Sequence, residues 1–454
     1  MLRTRAMLTV LAGVALAAGT AASAWAASAT GTGGQVLRQA GAGERQATIP
    51  RPATSPFAPG SGQLVVDWNK TLIAILNIHG AQPATIHPTR SFAILQAAEY
   101  DATVAITHAG RPYLFRVPVA RPASAAAAAD QAAHDVLAGL YPGQASIADD
   151  RLAAELAVIP DGPAKQHGIK TGKTVAAKLL TIRSTDGSAA PPPPFVSGTA
   201  PGAYRPTPPS FTPPVFTNWG TITPFVLESG AQFRPAAPPS VTSDAYKDSL
   251  AVTSSLGQDT STTRTADQTT AGKDWSSTPV WNVWNEVAQD QVVTHDSSLQ
   301  SSATAFAALD LSLADSAIGL YDAKYTYQIW RPMTAIRDGS EFGFPPNPSW
   351  NPLTATAPDP SYPGAHATFS FAAATILTAV FGDEQPVTVH FDALPGQTRG
   401  FASFYDAAGE ASLSRIWAGQ HTTLDEDAGQ QLGSYTARFV LRHFDWDLSR
   451  TVRS

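Results

Sequence analysis

Apolar residues recur at three- and four-residue spacing over 65–78, 89–107, 123–140, 147–158 and 164–182, which is the period of an amphipathic helix. The same period returns after residue 241, and few stretches read convincingly as strands. The pattern therefore predicts a mainly α protein built from helical bundles. Between them, 187–240 breaks the periodicity with proline, including Pro191-Pro192-Pro193-Pro194. A disordered linker is one reading of this stretch. The aromatics Phe195, Tyr204, Phe211, Phe216, Trp219, Phe225 and Phe233 are too many for a typical disordered tract, and favour an ordered strap packed over the helices.

The N-terminus follows another pattern. Arg3 and Arg5 precede an apolar run from Leu8 to Ala18, and Ala22-Ser23-Ala24 and Ala24-Trp25-Ala26 are both plausible cleavage sites. Residues 1–26 thus read as a secretory signal peptide, which predicts a secreted, extracellular protein. The run is short for a membrane anchor, and no other stretch reads as a transmembrane span. The expected organisation is a signal peptide at 1–26, a flexible lead-in at 27–62, an N-terminal helical region at 63–186, the strap at 187–240 and a catalytic helical domain at 241–454.

Composition refines this picture. Of 454 residues, 43% are hydrophobic and only 15% charged, enough for a sizeable core. A net charge of −6 provides no basic footprint for nucleic acid. With no cysteine there is no disulfide framework, and beyond the signal peptide Met333 is the only methionine. Scarcity of the most easily oxidised side chains suits a protein that produces peroxide-derived oxidants. Compositional drift explains it equally well, and the 10 tryptophans argue against strict selection. His79, His87, His108, His134 and His167 show no metal-ligand spacing and read as satisfied core or surface histidines.

The candidate chemistry lies in three stretches: Lys324-x6-Arg331-Pro332, Pro360-Ser361-Tyr362-Pro363-Gly364-Ala365-His366, and Ser414-Arg415-x5-His421-x3-Asp425. Taken alone, each has a bland reading. A lysine and an arginine seven apart are usually a solvated helix face, a histidine after a Pro-Gly turn is usually structural, and His421 and Asp425 can be a local helix contact. Together, three fixed cations and two histidines suit a phosphate-like oxyanion. One histidine can act as nucleophile or ligand and the other as general acid/base. Seven residues make about two helical turns, so Lys324 and Arg331 are expected on one face, with Pro332 ending that helix. His366 follows a turn that feeds a helix N-terminus, where free N–H groups favour an anion. Asp425 can accept from the His421 ring and fix its tautomer. Arg415 and His421, six apart, would point about 120° from each other on a continuous helix, so a break is expected near Ala418-Gly419.

These stretches resemble the signature of the vanadium-dependent haloperoxidase and type 2 phosphatidic acid phosphatase superfamily. Pro360-Ser361-Tyr362-Pro363-Gly364-Ala365-His366-Ala367-Thr368-Phe369 is most similar to the soluble vanadium chloroperoxidase branch, and 307–317 shares that branch's look. The specific resemblance covers about 241–442 and is vaguer over 64–185. It implies that Lys324, Arg331, Gly364, Ala365 and Arg415 bind the oxyanion. His421 would be the axial vanadium ligand or a phosphorylated nucleophile, His366 the acid/base group, and Asp425 the group orienting His421. The implied cofactor is vanadate, with phosphate able to occupy the same site. The implied partners are small molecules: peroxide, halide or a phosphoester. The expected activity is a vanadium-dependent peroxidase that oxidises a halide or organic substrate. The alternative is a soluble acid phosphatase with a phospho-histidine intermediate, and a non-enzymatic helical binding protein is a third reading. The chain departs from the pattern where Gly364 stands for the family's serine, whose hydroxyl is lost. It also places Tyr321 and Asp359 where chloroperoxidases favour aromatics. A carboxylate there is expected to repel halide.

Overall fold

The computed structural model describes residues 60–444; the signal-peptide expectation and most of the lead-in lie outside them. Among the described residues there are thirteen α-helices. The first five are α1 (Gln63–Leu76), α2 (Thr89–Thr107), α3 (Ala125–Leu140), α4 (Ala145–Ala157) and α5 (Pro163–Arg183). After the strap come α6 (Asp244–Leu256), α7 (Ala266–Ser277), α8 (Val280–Thr294), α9 (Leu299–Tyr327) and α10 (Pro332–Arg337). The last three are α11 (Ala365–Phe381), α12 (Phe404–Trp417) and α13 (Thr423–His443). One antiparallel hairpin, β1 (Val387–His390) with β2 (Thr398–Phe401), pairs Val387 with Phe401. The helices start where hydroxyls can cap them: Ser124, Ser243, Ser298 and Ser403 each accept from a first-turn N–H, and Thr265 and Thr422 form capping boxes.

Helix α9 is the axis of the molecule, packed against α1, α2, α8, α11 and α13. It is long and apolar enough to cross a membrane, but 94% of its apolar window is buried inside the protein, as befits a core helix. One hydrophobic cluster runs from Leu64 on α1 to Leu441 on α13, so the two halves of the chain share a core.

The proline-rich stretch 187–240 is ordered, with Tyr204, Trp219 and Phe225 buried. Asp315, mid-way along α9, holds it by accepting from the backbone N–H groups of Phe225, Val226 and Leu227 at 2.6, 2.7 and 2.8 Å. A buried carboxylate that accepts three N–H groups is satisfied and also satisfies a strap that lacks its own ladder.

Two glycines set how closely α11 and α13 approach. A Cβ at Gly429 would lie 2.4 Å from the Gly364 carbonyl oxygen, and one at Gly433 2.0 Å from that of Thr368. Only glycine permits this contact, which brings the start of α11 against the first turns of α13.

His87 is a core histidine, 1% exposed among Phe216, Trp281, Tyr321 and Phe369. Burial pushes its pKa down from 6.5 to about 3, against a small opposing pull from Asp359. The folded state therefore keeps His87 neutral in acid while the unfolded chain takes up a proton below 6.5. Stability present above that pH is lost as pH falls. Between pH 6.5 and 4.5 the loss from this group is about 2 kcal/mol. His87→Leu should flatten the acid limb of a stability-versus-pH curve measured by urea unfolding. An unchanged slope would show that His87 is not the group responsible.

Candidate functional site

The three stretches meet at the ends of α9, α11, α12 and α13. Lys324 lies in the last turn of α9 and is fully buried. The helix stops at Tyr327 because Gln328 adopts a left-handed conformation, φ 50°. The chain then runs extended against the strap: Tyr204 donates its N–H to the Gln328 carbonyl at 2.7 Å, and Trp330 donates to that of Gly202 at 2.9 Å. Arg331 follows as the extended N-cap of α10, with Pro332 opening that helix. The expectation that Lys324 and Arg331 share a helix face, with Pro332 ending the helix, is thus corrected. The left-handed residue and the pairing with the strap break the helix earlier, and the fold back brings both cations together.

The two cations converge on Asp359. Lys324 Nζ donates to the carbonyls of Pro360 and Ser361, the latter at 3.1 Å, and stands 3.4 Å from Asp359 Oδ1. Arg331 donates from Nε to the Asp359 carbonyl at 2.7 Å and from Nη2 to the Asp359 carboxylate. Its Nη1 donates to the Gln420 carbonyl at 3.0 Å and lies 3.3 Å from His421 Nε2. Burial pushes the Asp359 carboxyl upward, but Lys324, Arg331 and His421 outweigh it and hold the group below its usual range. Burial in turn lowers Lys324 to about 8. Asp359 is thus no isolated charge: its carboxylate is the partner of two buried cations.

Arg415 closes the third side from the last turn of α12, lowered to about 10 by burial. Its Nη1 donates to Ser276 Oγ at 2.5 Å, while its buried Nε has no partner among the described residues. The chain breaks where expected. Helix α12 ends at Trp417, and Gly419 takes φ 78° with a Cβ position only 2.6 Å from the Gly257 carbonyl oxygen, so no larger residue fits. This turn points His421 back toward Arg331.

His421 and Asp425 do not lie on one helix turn. His421 precedes α13, and Asp425 sits at the third position of its capping box, accepting from the Thr422 N–H at 2.7 Å. His421 Nδ1 is 3.5 Å from Asp425 Oδ2 and 3.4 Å from Ser361 Oγ, and the Ser361 hydroxyl donates to that same Oδ2 at 2.8 Å. Ser361 and Asp425 together face Nδ1, which leaves Nε2 toward the cations. Burial, followed by Arg331, Lys324 and Arg415, pushes the His421 pKa well below 6.5, so the ring is a neutral imidazole. His366 is the second residue of α11. Its Nε2 lies 2.9 Å from the Trp275 carbonyl oxygen, which can only accept, so Nε2 carries the proton and Nδ1 the lone pair. Burial, then Arg415 and, more weakly, His421, lowers His366 well below its usual value, which sets all three groups within electrostatic reach.

Gly364 needs a correction. Its N–H is spent on the Asp425 carbonyl at 2.8 Å and is not open to an anion. The Ala365 N–H opens α11, in the turn whose donors have no intrahelical acceptor. Three participants were assigned no site role in the motifs, Ser361, Gln420 and Glu426, and Asp359 was read only as a carboxylate that repels halide. Ser361 and Asp359 lie in or beside the second stretch, where a buried Ser-Asp-His relay gives no spacing signal. Glu426 directly follows Asp425.

Among the described residues no group of three or more His, Cys, Asp or Glu could hold a bare metal ion. The donor set suits an oxyanion: three buried cations, one neutral imidazole nitrogen turned toward them, and an unpaired guanidinium N–H. These residues fit vanadate or phosphate.

Residues 304–447 match the family model of the VCPO second helical-bundle domain. Three solved structures share the fold. The structure of the first bacterial vanadium-dependent iodoperoxidase is 23% identical and aligns over 86% of this chain and 98% of that one, with a TM-score of 0.76. An apo-type bacterial vanadium-dependent chloroperoxidase is 17% identical over 81% and 96%, with a TM-score of 0.59. A holo-type bacterial vanadium-dependent chloroperoxidase is 15% identical over 86% and 100%, with a TM-score of 0.62. No curated protein matches the chain.

Proposed function

We propose that this chain, whose second bundle carries the haloperoxidase-superfamily signature, is an exported vanadate-dependent peroxidase that oxidises a halide or a small organic substrate. The observation that carries the reading is the neutral His421 Nε2, 3.3 Å from Arg331 and surrounded by buried cations. Lys324, Arg331 and Arg415 would hold the oxyanion by charge, and His421 Nε2 would be its single protein ligand to the metal. Vanadate, when bound, supplies Lewis acidity toward a peroxide oxygen. The rest is the work of the protein. Asp425 and Ser361 hold the His421 ring so that its lone pair stays on Nε2. The Trp275 carbonyl holds the His366 ring so that Nδ1 can take a proton from incoming peroxide and return it to the departing oxygen. The core packed around α9 and the strap keeps bulk water away, which strengthens every charge interaction inside. The similar solved structures are an iodoperoxidase and a chloroperoxidase, which supports this reading over phosphoester hydrolysis, a reaction the same residues could perform.

Purified protein should oxidise iodide or bromide with hydrogen peroxide only when vanadate is added, and inorganic phosphate should compete. Phosphoester hydrolysis without vanadate, together with no halide oxidation at any vanadate concentration, would replace the proposal with the phosphatase reading.

A further inference from the structure

Glu426 has no task in the mechanism above, yet it is 4% exposed in the first turn of α13, next to Asp425. One carboxyl oxygen, Oε2, accepts from the Ser412 hydroxyl at 2.9 Å. The other, Oε1, is buried with no partner among the described residues. Its position is specific. A Cβ built on Gly364 would stand 2.4 Å from Oε1 and 2.8 Å from Cδ. The carboxyl group therefore fills the volume of a side chain at 364, the N-cap of α11, two residues before His366. Gly364 has φ −72°, so the backbone does not require glycine there; the space taken by Glu426 does. Around this carboxyl stand Arg415 from α12 and Lys324 from α9, both electrostatically coupled to it, with Asp425 beside it on α13. Arg415 keeps an unpaired buried Nε and does not bond to the unpaired Oε1. Two orphan polar atoms thus belong to two residues that feel each other electrostatically, among the cations already assigned to the oxyanion.

We propose that the Glu426 carboxyl group, reaching over the bare Cα of Gly364, donates a hydrogen bond to the bound oxyanion and takes the place of the missing serine hydroxyl. This rests on the oxyanion reading of the site. A carboxylic acid can donate only while protonated, and here burial comes first in raising its pKa to about 8, with Asp425 adding and Ser412, Arg415 and Lys324 opposing. Around neutral pH the group is a neutral donor. Its ionisation above that range would place a negative charge against the anion. Gly364 and Glu426 are then one unit: a serine at 364 and a glutamate at 426 exclude each other.

The test is calorimetric titration of vanadate into the full chain and four variants at pH 7, with pH 9 added for two. Glu426→Ala should weaken binding about tenfold to a hundredfold, the scale of one hydrogen bond to a charged group. Gly364→Ser alone should weaken binding or misfold, because its Cβ meets the carboxyl. Gly364→Ser with Glu426→Ala should recover the affinity lost in Glu426→Ala, since the hydroxyl enters the vacated volume. Glu426→Gln, a neutral donor at every pH, should bind like the parent at pH 7 and lose less affinity at pH 9. Vanadate's own ionisation is common to both proteins and cancels in this comparison. If the parent binds vanadate and Glu426→Ala binds equally well, the inference is overturned and the oxyanion site stands. Failure of the double variant to recover binding also overturns it. If the parent binds neither vanadate nor phosphate, the site reading falls and this inference with it.

Discussion

His421→Ala should abolish vanadate binding, whereas His366→Ala should leave binding nearly intact and lower turnover by about 10²–10⁴, the usual scale of one general acid/base group. The difference follows from what each ring faces. His421 presents a neutral Nε2 lone pair beside Arg331 Nη1, with Nδ1 turned to Asp425 and Ser361. Its removal deletes the only imidazole assigned as a ligand and leaves a cluster of buried cations without a covalent anchor for the anion. His366 is tied at the other nitrogen to a main-chain carbonyl, and its proposed role is that of a proton site, not of a bond to the metal. Equilibrium titration with vanadate, beside initial rates of halide oxidation, separates the two roles. Equal loss of binding in both variants would contradict the assignment.

The three stretches were legible as one candidate site because residues suited to an oxyanion stand there in a rare combination at fixed spacing, and the fold brings them together. The periodicity located α1 to α5 within a few residues, although α2 is buried on every side. The break before His421 was legible because two side chains six apart cannot face one ion from a single helix. The geometry of Lys324 and Arg331 was not legible. Gln328 gives no local signal for a left-handed turn, and its conformation depends on strap residues more than a hundred positions upstream. The same holds for Asp359, whose partners lie 28 and 35 positions away. A carboxylate reads as repulsive until the fold shows which cations it meets. Glu426 had no signal at all, because its meaning lies in the volume left free by a glycine on another helix.

Asp359→Asn should lower the stability of the ligand-free protein and at the same time tighten vanadate binding. In the parent, Asp359 neutralises part of the charge of Lys324 and Arg331, which are both buried. Breaking a buried ion pair from one side typically costs about 3–5 kcal/mol, because the remaining charges lose their partner. An asparagine oxygen can still accept from Arg331, so the lower part of that range is expected and the fold should survive. The same carboxylate competes with an oxyanion for those two cations. Two unit like charges on the order of 6 Å apart repel by about 3 kcal/mol at an effective dielectric of about 20, or about a hundredfold in affinity, and the pairing of Asp359 with its two cations makes that an upper bound. Removing the charge should return up to that amount. Vanadate should then raise the melting temperature of Asp359→Asn by more than it raises the parent's, since at one ligand concentration L a tighter ligand stabilises more, by RT ln(1 + L/Kd). Thermal unfolding with and without vanadate, together with calorimetric titration, measures both effects. Weaker binding by Asp359→Asn would show that the carboxylate serves to aim Arg331 at the anion, and that the geometry it imposes outweighs the charge it takes away.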